Sequence, residues 1–449
     1  MATTTHTGTT ASRPASDPDR AARIKELSRK HVFTSWSAQG ALDQLPLAGG
    51  EGASFWDYDG NTYLDLTSQL VNVNIGYQHP KLVAAIQEAA GRLTTIGPGF
   101  DSESRAEAAR MIAERAPQGM NKVFFTNAGA EAVENALRLA RQHTGRHKIL
   151  AAYRSYHGAT AGAISLTGEA RRHGSEPGIP GVVHFWGPYL YRSEFHASTE
   201  EEESERALQH LRHTVEFEGP QHIAAIILEP VVGSNGVLVP PPGYLEGVRA
   251  LCDEHGILFI ADEVMAGFAR TGQWFAVQNW GVTPDLITFA KGVNSGYLPL
   301  GGVIMSDEIA ATFDERPYPG GLTYSGHALA CASAVASISI MEEERVLEHV
   351  RALGQDVLGP GLRALAEHEV VGEVRGIGAF WAVELVADRD TRDPLGGKEI
   401  AQVGRACKEQ GVWPLIMANR VHVVPPCVIT EDEARRAIDV LGGALAAVR

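Results

Sequence analysis

The chain has 449 residues, of which 44% are hydrophobic and 21% charged, and its formal net charge at pH 7 is −15. This is an ordinary globular composition, and the length suits one large domain with a smaller one. The acidic balance, without a basic patch that could neutralise phosphates, argues against a nucleic acid partner. No run of about 18 apolar residues is present, so no membrane span is predicted.

The cysteines and the first residues both favour a cytoplasmic location. The four cysteines show no C-x-x-C spacing, so they predict neither a disulfide framework nor a metal site. Residues 1–18, MATTTHTGTTASRPASDP, contain no hydrophobic stretch that could act as a secretory signal. Their single arginine, Arg13, is too little for a transit peptide. We therefore expect residues 1–18 to be a disordered tail.

The next elements form an N-terminal segment over residues 19–75. A first helix is predicted over 20–30. The stretch ASFWDYDGNTYLDL (53–66) predicts two short strands around a turn at Asp59-Gly60. We expect this segment to pack with a small domain near the C-terminus.

From residue 76 to residue 330, helical stretches alternate with short apolar runs, which predicts a large α/β domain. The runs are NKVFFT (121–126), KILAA (148–152), AAIILEP (224–230), GILFIAD (256–262), DLITFAK (285–291) and GGVIM (301–305). Such runs are typical of strands buried on both faces of a mostly parallel sheet. Residues 331–449 mix helices and strands again and predict a smaller α+β domain, after one long helix over 328–350.

Three of the predicted strands end in ionisable side chains: Glu229, Asp262 and Lys291. Ligands of such sheets bind at the carboxyl ends of the strands, so these side chains are candidates for chemistry. Desolvation lowers the pKa of a lysine, and a neutral amine is what a Schiff base with an aldehyde requires. A buried carboxylate at Asp262 needs a cationic partner, for which a protonated pyridine nitrogen would serve. Solvated loop residues, or a plain Asp262–Lys291 salt bridge, are the alternatives.

The turn after NKVFFT has the character of a phosphate site. Ala128, Gly129 and Ala130 lead directly into a helix, whose free N–H groups would attract an anion. Neither a Walker loop nor a G-x-G-x-x-G is present, which disfavours a nicotinamide-linked dehydrogenase. In the loop RSYHG, Tyr156 could stack on a flat ring beside His157, although a partly buried tyrosine that bonds the backbone is the commoner case.

Several motifs occur in an order that resembles a known family: TNAGAEAVENA, YHG, EPVVGSNG, FIADEVMAGFARTG, DLITFAKG and TYSGHALACA. From about Phe33 to the C-terminus, the chain resembles the class III (ω-type) aminotransferases among the fold type I pyridoxal 5′-phosphate enzymes. The resemblance implies an α/β fold with a large, mostly parallel seven-stranded sheet domain and a smaller α+β domain. It also implies a homodimer, or a tetramer, with active sites shared between subunits, and no metal.

The resemblance also implies roles for individual residues. Lys291 would bind the cofactor covalently and carry protons, Asp262 would pair with the pyridine nitrogen, and Glu229 would position Asp262 or an incoming carboxylate. The remaining cofactor contacts are implied for Ala128, Gly129 and Ala130 at the phosphate, Val264 and Tyr156 on the two ring faces, His157 beside them, and Thr323 from the other subunit. The arginine of GFARTG, Arg270, is interpreted as structural.

The chain departs from the family pattern in two places. The phosphate turn, commonly S-G-[ST]-E-A, has Ala128 and Ala130 and so lacks two hydroxyl donors. Near the C-terminus, NRVHVVPP places Arg420 and His422 around the position where relatives acting on α-ketoglutarate carry an arginine that clamps a carboxylate. We interpret this as a missing clamp, or as Arg420 serving as a mobile one. The motifs are similar to those of the taurine–pyruvate and amine–pyruvate branch, which favours pyruvate as the acceptor.

The predicted reaction is a ping-pong transfer of an amino group from a primary amine or ω-amino acid donor to a keto-acid acceptor. Candidate pocket residues are Leu70, Val71, Tyr77, Tyr156, Phe100 and Arg420, followed by Trp56 and Trp413. The alternatives are α-ketoglutarate as acceptor, a related 2,2-dialkylglycine decarboxylase or aminomutase, and a relative without catalysis that has a regulatory role.

Overall fold

The computed structural model describes residues 16–448. The strands are β1 (Leu47–Glu51), β2 (Ser54–Asp57), β3 (Thr62–Asp65), β4 (Lys122–Thr126), β5 (Lys148–Ala152), β6 (Val182–Phe185), β7 (Ile223–Leu228), β8 (Leu258–Asp262), β9 (Leu286–Phe289), β10 (Gly301–Met305), β11 (Val371–Ile377), β12 (Phe380–Leu385), β13 (Val412–Trp413), β14 (Leu415–Met417) and β15 (Arg420–Val423).

The α-helices are α1 (Pro18–His31), α2 (Ser68–Val71), α3 (Pro80–Arg92), α4 (Glu103–Arg115), α5 (Gly129–Thr144), α6 (Ala161–Leu166), α7 (Glu200–Glu218), α8 (Tyr244–His255), α9 (Asp307–Ala311), α10 (Ala328–Glu343), α11 (Val346–Ala352), α12 (Gly359–Ala364), α13 (Gly397–Glu409) and α14 (Glu431–Ala446). Several α-helices, among them α5, α6, α7 and α8, pack against strands of the large sheet. The helix predicted over 328–350 is two helices, because Arg345 adopts a left-handed conformation (φ 53°) between α10 and α11.

The large sheet has seven strands in the order β4-β10-β9-β8-β7-β5-β6. Strand β10 is antiparallel to β4 and β9, and the other pairs are parallel, which confirms the predicted mostly parallel sheet. Every residue of β7, β8, β9 and β10 is buried, as the continuous apolar runs indicated. The edge strand β6 was not predicted, since VVHF is short and its first three residues are only partly buried.

Two four-stranded sheets lie outside the large one. The first joins the N-terminal strands to the C-terminal part, because β3 pairs in parallel with β13 in the order β1-β2-β3-β13. The second has the order β11-β12-β15-β14 and is antiparallel. We retain the domain boundaries at residues 75/76 and 330/331 as a proposal.

The N-terminal end of the described chain is helical. Asp17 caps α1 by accepting a hydrogen bond from the backbone N–H of Arg20 at 3.0 Å, so this helix begins at Pro18, the last residue of the predicted tail. The rest of that predicted tail, residues 1–15, lies outside the described residues. Between residues 16 and 448, no helix is both long and apolar enough to cross a membrane.

Candidate active site

Three neighbouring strands of the large sheet deliver their carboxyl ends to one cavity of about 1010 Å³. Glu229 follows β7, Asp262 ends β8, and Lys291 comes two residues after β9. All three side chains line the cavity. Because β7, β8 and β9 are parallel, their last residues meet at the same edge of the sheet. The strand ends singled out in the sequence are therefore brought together.

Lys291 is held in an unusual backbone conformation. Its φ is +45°, in the left-handed region, where a non-glycine residue needs support from the surrounding fold. Part of that support is the hydrogen bond from the Gly296 N–H to the Lys291 carbonyl at 3.1 Å. Burial lowers the pKa of the Lys291 amine, and this effect outweighs the attraction of Asp262 and Glu229. The fold thus favours the neutral amine.

Asp262 is a buried carboxylate with a fixed orientation. One oxygen accepts from Nδ1 of His157 at 2.7 Å. The other oxygen accepts from the Thr288 hydroxyl at 2.9 Å and from the backbone N–H of Val264 at 3.2 Å. Burial by itself lowers the pKa of His157, but the hydrogen bond to Asp262 and the charges of Asp262 and Glu229 outweigh it, so the pKa is raised.

Glu229 connects two loops of the site. Its carboxylate accepts the backbone N–H of Tyr156 at 2.9 Å and that of Gly233 at 2.8 Å. Burial, with the nearby charge of Asp262, raises the pKa of Glu229 even though His157 opposes the shift. Glu229 therefore fixes the loop that carries Tyr156 and lies within electrostatic reach of Asp262.

The N-terminus of α5 opens towards the cavity. Ala128 precedes the helix without a side-chain cap, so the N–H groups of Gly129 and Ala130 keep their capacity for an anion. The packing is tight here, because a Cβ built on Gly129 would lie 2.7 Å from a methyl group of Val264. Only glycine lets the backbone and Val264 approach each other this closely.

These residues fit pyridoxal 5′-phosphate by their chemistry. The uncapped helix end suits a phosphate, buried Asp262 suits a cationic ring nitrogen, and the amine of Lys291 suits an aldehyde carbon. Val264 and Tyr156 line the same cavity. Among residues 16–448, no group of three or more His, Cys, Asp or Glu side chains is placed to hold a metal ion.

One wall of the cavity was not predicted from the sequence. It is formed by the cation Arg171 together with Trp36 and Glu169. The guanidinium carbon of Arg171 lies 3.7 Å from the centre of the Tyr156 ring, and the same guanidinium forms an ion pair with Glu169. Arg171 thus covers one face of the Tyr156 ring. Arg171 follows no apolar strand, which is why a search of strand ends missed it.

Arg420 lines the cavity and is not committed to a carboxylate. In the described part of the chain, its guanidinium donates to the Asn235 carbonyl at 3.0 Å and forms no ion pair. His422, two residues on, is buried and close to the Gly233 carbonyl at 3.3 Å. Burial, reinforced by Arg420, lowers the pKa of His422 to about 3, so this side chain is neutral at physiological pH.

The remaining predicted pocket residues divide into two groups. Leu70 and Val71 line the cavity. Phe100, Tyr77, Trp56, Trp413 and Thr323 do not line it in the single chain. Phe100 is 68% exposed, Tyr77 donates to Asp65 at 2.7 Å, and Trp413 packs against Phe55 and Tyr63. Thr323 is exposed, as a residue must be if it is to reach another subunit.

Arg270 lies behind the site rather than in it. It is fully buried and donates to the carbonyls of Ala379 (3.0 Å) and Pro425, to the Ser68 hydroxyl (3.1 Å) and to the Asn74 side chain (2.8 Å). It thereby ties residues 68–74, which carry part of the cavity wall, to the C-terminal part of the chain. These contacts support the structural interpretation of GFARTG.

Comparison with known proteins gives consistent results. The family model described as aminotransferase class-III matches residues 38–445. The putrescine–pyruvate aminotransferase of Pseudomonas aeruginosa is 35% identical over 94% of this chain and 97% of that protein. The structure of a taurine:2-oxoglutarate aminotransferase from Bifidobacterium kashiwanohense, in complex with PLP and glutamate, superposes with a TM-score of 0.92 at 40% identity, covering 95% of this chain and 97% of that one. The structure of an (S)-enantioselective ω-transaminase from Thermomicrobium roseum also superposes with a TM-score of 0.92. It is 38% identical and covers 95% of this chain and 99% of that one.

Proposed function

The chain belongs to the class III aminotransferases of the fold type I pyridoxal 5′-phosphate enzymes, and on that basis we propose that it moves an amino group from a primary amine or ω-amino acid to pyruvate. The observation that carries the proposal is the arrangement of one cavity. Lys291, Asp262 and Glu229 meet at the strand ends, and the uncommitted arginine Arg420 lies on the same lining.

Each residue of the cavity has a definable task in such a reaction. Pyridoxal phosphate, when bound, supplies an electron sink for the carbon that carries the amino group. Lys291, whose pKa burial lowers, takes a proton from that carbon and returns one. Asp262, oriented by His157 and Thr288, stabilises positive charge on the ring nitrogen. The N–H groups of Gly129 and Ala130 bind the phosphate.

Arg420 is the proposed carboxylate anchor for the keto acid. An arginine without an ion-pair partner can give a carboxylate two parallel hydrogen bonds. The burial that lowers the pKa of Arg420 would also strengthen such a contact, because little water would compete. The sequence motifs, together with the pyruvate named for the Pseudomonas aeruginosa relative, support pyruvate as the acceptor.

A second candidate acceptor is 2-oxoglutarate, which is favoured by one observation. The cavity lining contains a second arginine, Arg171, so both carboxylates of a dicarboxylic keto acid could find a cation. The Bifidobacterium kashiwanohense relative is named for 2-oxoglutarate. Arg171 already shares its charge with Glu169, however, and this makes it the weaker of the two anchors.

The guanidinium of Arg171 also suits the acid group of an ω-amino acid donor. Arg171 and Trp36 line the cavity together with Tyr156, and Arg171 lies over the Tyr156 ring. A β-alanine or taurine donor would place its amine at Lys291 and its acid group at Arg171. The combination of an arginine and an indole supports such donors over purely apolar amines.

Assembly and location are also proposed. We propose a homodimer in which Thr323 of each subunit reaches the phosphate site of the other; a tetramer would retain that arrangement. Large side chains exposed on the single chain support a covered surface, namely Phe33, Phe100 and Tyr324. A cytoplasmic location is supported by four cysteines that are buried and unpaired.

Absorbance spectroscopy and a substrate panel test the proposal. The purified protein should be yellow and should bleach when alanine is added, because alanine is the reverse substrate of a pyruvate-dependent enzyme. Bleaching by glutamate alone would establish 2-oxoglutarate instead. Carbon dioxide release would identify a decarboxylase, and turnover without a keto acid would identify an aminomutase. Lys291→Ala should abolish turnover. If the wild-type protein turns over no donor, the remaining interpretation is a relative without catalysis that has a regulatory role.

A further inference from the structure

Arg420 has an obvious carboxylate partner to which it is not paired. Glu384 of β12 stands directly opposite Arg420 of β15 in the antiparallel ladder. Residues opposite each other in such a ladder project from the same face, with Cβ atoms about 5 Å apart. Glu384 also contributes an attraction to Arg420, as its effect on the Arg420 pKa indicates. The two side chains nevertheless form no ion pair in the described part of the chain.

The reason is that each carboxylate oxygen of Glu384 already accepts a hydrogen bond from another arginine. One carboxylate oxygen accepts from the Tyr189 hydroxyl at 2.5 Å and from Arg375 at 2.9 Å, and the other accepts from Arg192 at 2.6 Å. Burial would raise the pKa of Glu384, but these partners outweigh it and lower the pKa to about 2. Glu384 is therefore an anion whose two oxygens already have arginine partners, so it does not need Arg420 as a third cation.

The turn at Asn235–Gly236 keeps the two arginines side by side. Arg420 donates to the Asn235 carbonyl at 3.0 Å, and Arg375 donates to the Gly236 carbonyl at 2.6 Å. Gly236 has a φ of +118°, and a Cβ at this position would lie 2.5 Å from a guanidinium nitrogen of Arg375 and 2.8 Å from Cδ of Arg420. No other residue type could hold both arginines on one turn in this way.

We propose that Arg375 is a positioning residue for the substrate carboxylate: by occupying Glu384 together with Arg192, it leaves the guanidinium of Arg420 free to bind an acid substrate. The inference rests on the proposed function, in which Arg420 binds that carboxylate. When Arg375 loses its charge, one oxygen of Glu384 keeps only the neutral Tyr189 hydroxyl and has no cationic partner, and Arg420 lies within reach across the ladder. Arg420 then turns from the cavity to Glu384, and the site loses its preference for acids.

The test compares an acid acceptor with a neutral one in the holoenzyme. For wild type and variants, kcat/KM is measured for pyruvate and for butanal with the same amine donor, and the ratio of the two values is the readout. Arg375→Met should lower this ratio about tenfold or more, mainly through the KM of pyruvate, as expected when a charge-assisted hydrogen bond is lost. Arg375→Lys, which retains a cation, should preserve most of the ratio.

A compensating variant separates this role from a structural one. In Arg375→Met/Glu384→Gln, the anion opposite Arg420 is removed, and Glu373, the other carboxylate partner of Arg375, lies on β11, two strands from Arg420. The ratio should therefore return towards the wild-type value. A merely structural Arg375 would depress both acceptors equally, and the double variant would be worse than the single one. Either result overturns the inference. If Arg375→Met does not fold, Arg192→Gln, at the more exposed partner of Glu384, is put to the same measurement.

Arg420→Leu distinguishes failure of the inference from failure of the proposed function. A ratio that falls in Arg420→Leu but not in Arg375→Met disproves only the positioning role. A ratio unchanged in Arg420→Leu shows that the carboxylate binds elsewhere, so the roles of Arg420 and Arg375 both fail. The proposed transfer to pyruvate fails only if the wild-type protein does not turn pyruvate over in the same assay.

Discussion

His157 and Asp262 are joined by a hydrogen bond of 2.7 Å between Nδ1 and a carboxylate oxygen, and both side chains are buried. Since the carboxylate can only accept, the imidazole donates its Nδ1 proton. The other oxygen of Asp262 is held by Thr288, so the carboxylate cannot rotate. The two side-chain donors on Asp262 thus differ in kind: an imidazole that can carry charge and a neutral hydroxyl.

Asp262→Asn should remove most of the activity. The amide keeps the shape but no longer stabilises a buried cation, and loss of one partner of a buried charge pair costs about 3–5 kcal/mol. This corresponds to a fall in kcat/KM on the order of 10²–10⁴. Thr288→Val is the matched control, because it deletes one hydrogen bond to the carboxylate, worth about 1.5–3 kcal/mol, and leaves the charge of Asp262 in place. Equal losses in the two variants would contradict an electrostatic role for Asp262.

The stability supplied by His157 should depend on pH. Its pKa in the folded protein is raised, so protonated His157 contributes stability that is complete below about pH 6.5 and is lost as the pH rises through the folded pKa. His157→Gln should therefore lower the free energy of unfolding more at pH 6 than at pH 9. Denaturant titrations of both proteins at the two pH values measure this. If wild type and His157→Gln differ in the free energy of unfolding by the same amount at pH 6 and pH 9, His157 does not titrate in this range.

Gly129→Ala should weaken cofactor binding although alanine favours helices. The added Cβ would lie 2.7 Å from Val264, so Val264 or the helix N-terminus must move, and such overpacking costs about 1–3 kcal/mol. The dissociation constant of pyridoxal phosphate, measured by titrating the apoenzyme, should rise accordingly. Gly129→Ala/Val264→Ala makes room for the new methyl group and should recover most of the affinity. If the double variant binds pyridoxal phosphate as weakly as the single one, the clash with Val264 is not the cause of the weaker binding.

Residues at the strand ends could be predicted from the sequence because their signal is local. An apolar run that ends in an ionisable residue, as at Asp262 and Lys291, specifies both the strand and its functional end. His157 was placed near the cofactor by its motif, but its bond to Asp262, 105 positions away, depends on tertiary packing. The same holds for Arg171, which approaches Tyr156 from a short 3-10 helix (Ala170–Ser175), and for Arg375, whose partners come from separate segments. Local periodicity carries no information on such contacts.

Arg171→Leu should discriminate among amine donors. We expect kcat/KM for β-alanine and taurine to fall about tenfold or more, since a charge-assisted contact with the acid group is worth about 1.5–3 kcal/mol. Putrescine, which has no acid group, should lose far less. Glu169→Gln frees Arg171 from its ion pair and should lower the KM of β-alanine. If kcat/KM falls equally for all three donors in Arg171→Leu, the role of Arg171 is to hold Tyr156 in place and not to bind the acid group of the donor.

Arg270→Met should destabilise the fold and loosen one wall of the cavity. Methionine fills similar volume, but four acceptors lose their donor: two backbone carbonyls, Ser68 and Asn74. Each buried group left unsatisfied costs about 1–3 kcal/mol, so the free energy of unfolding should fall by about 3 kcal/mol or more. Because Ser68 and Asn74 flank Leu70 and Val71, selectivity among bulky amines should relax as well. Denaturant unfolding and a series of amines of increasing size measure the two effects. A stable variant with unchanged selectivity would show that residues 68–74 keep their place without Arg270.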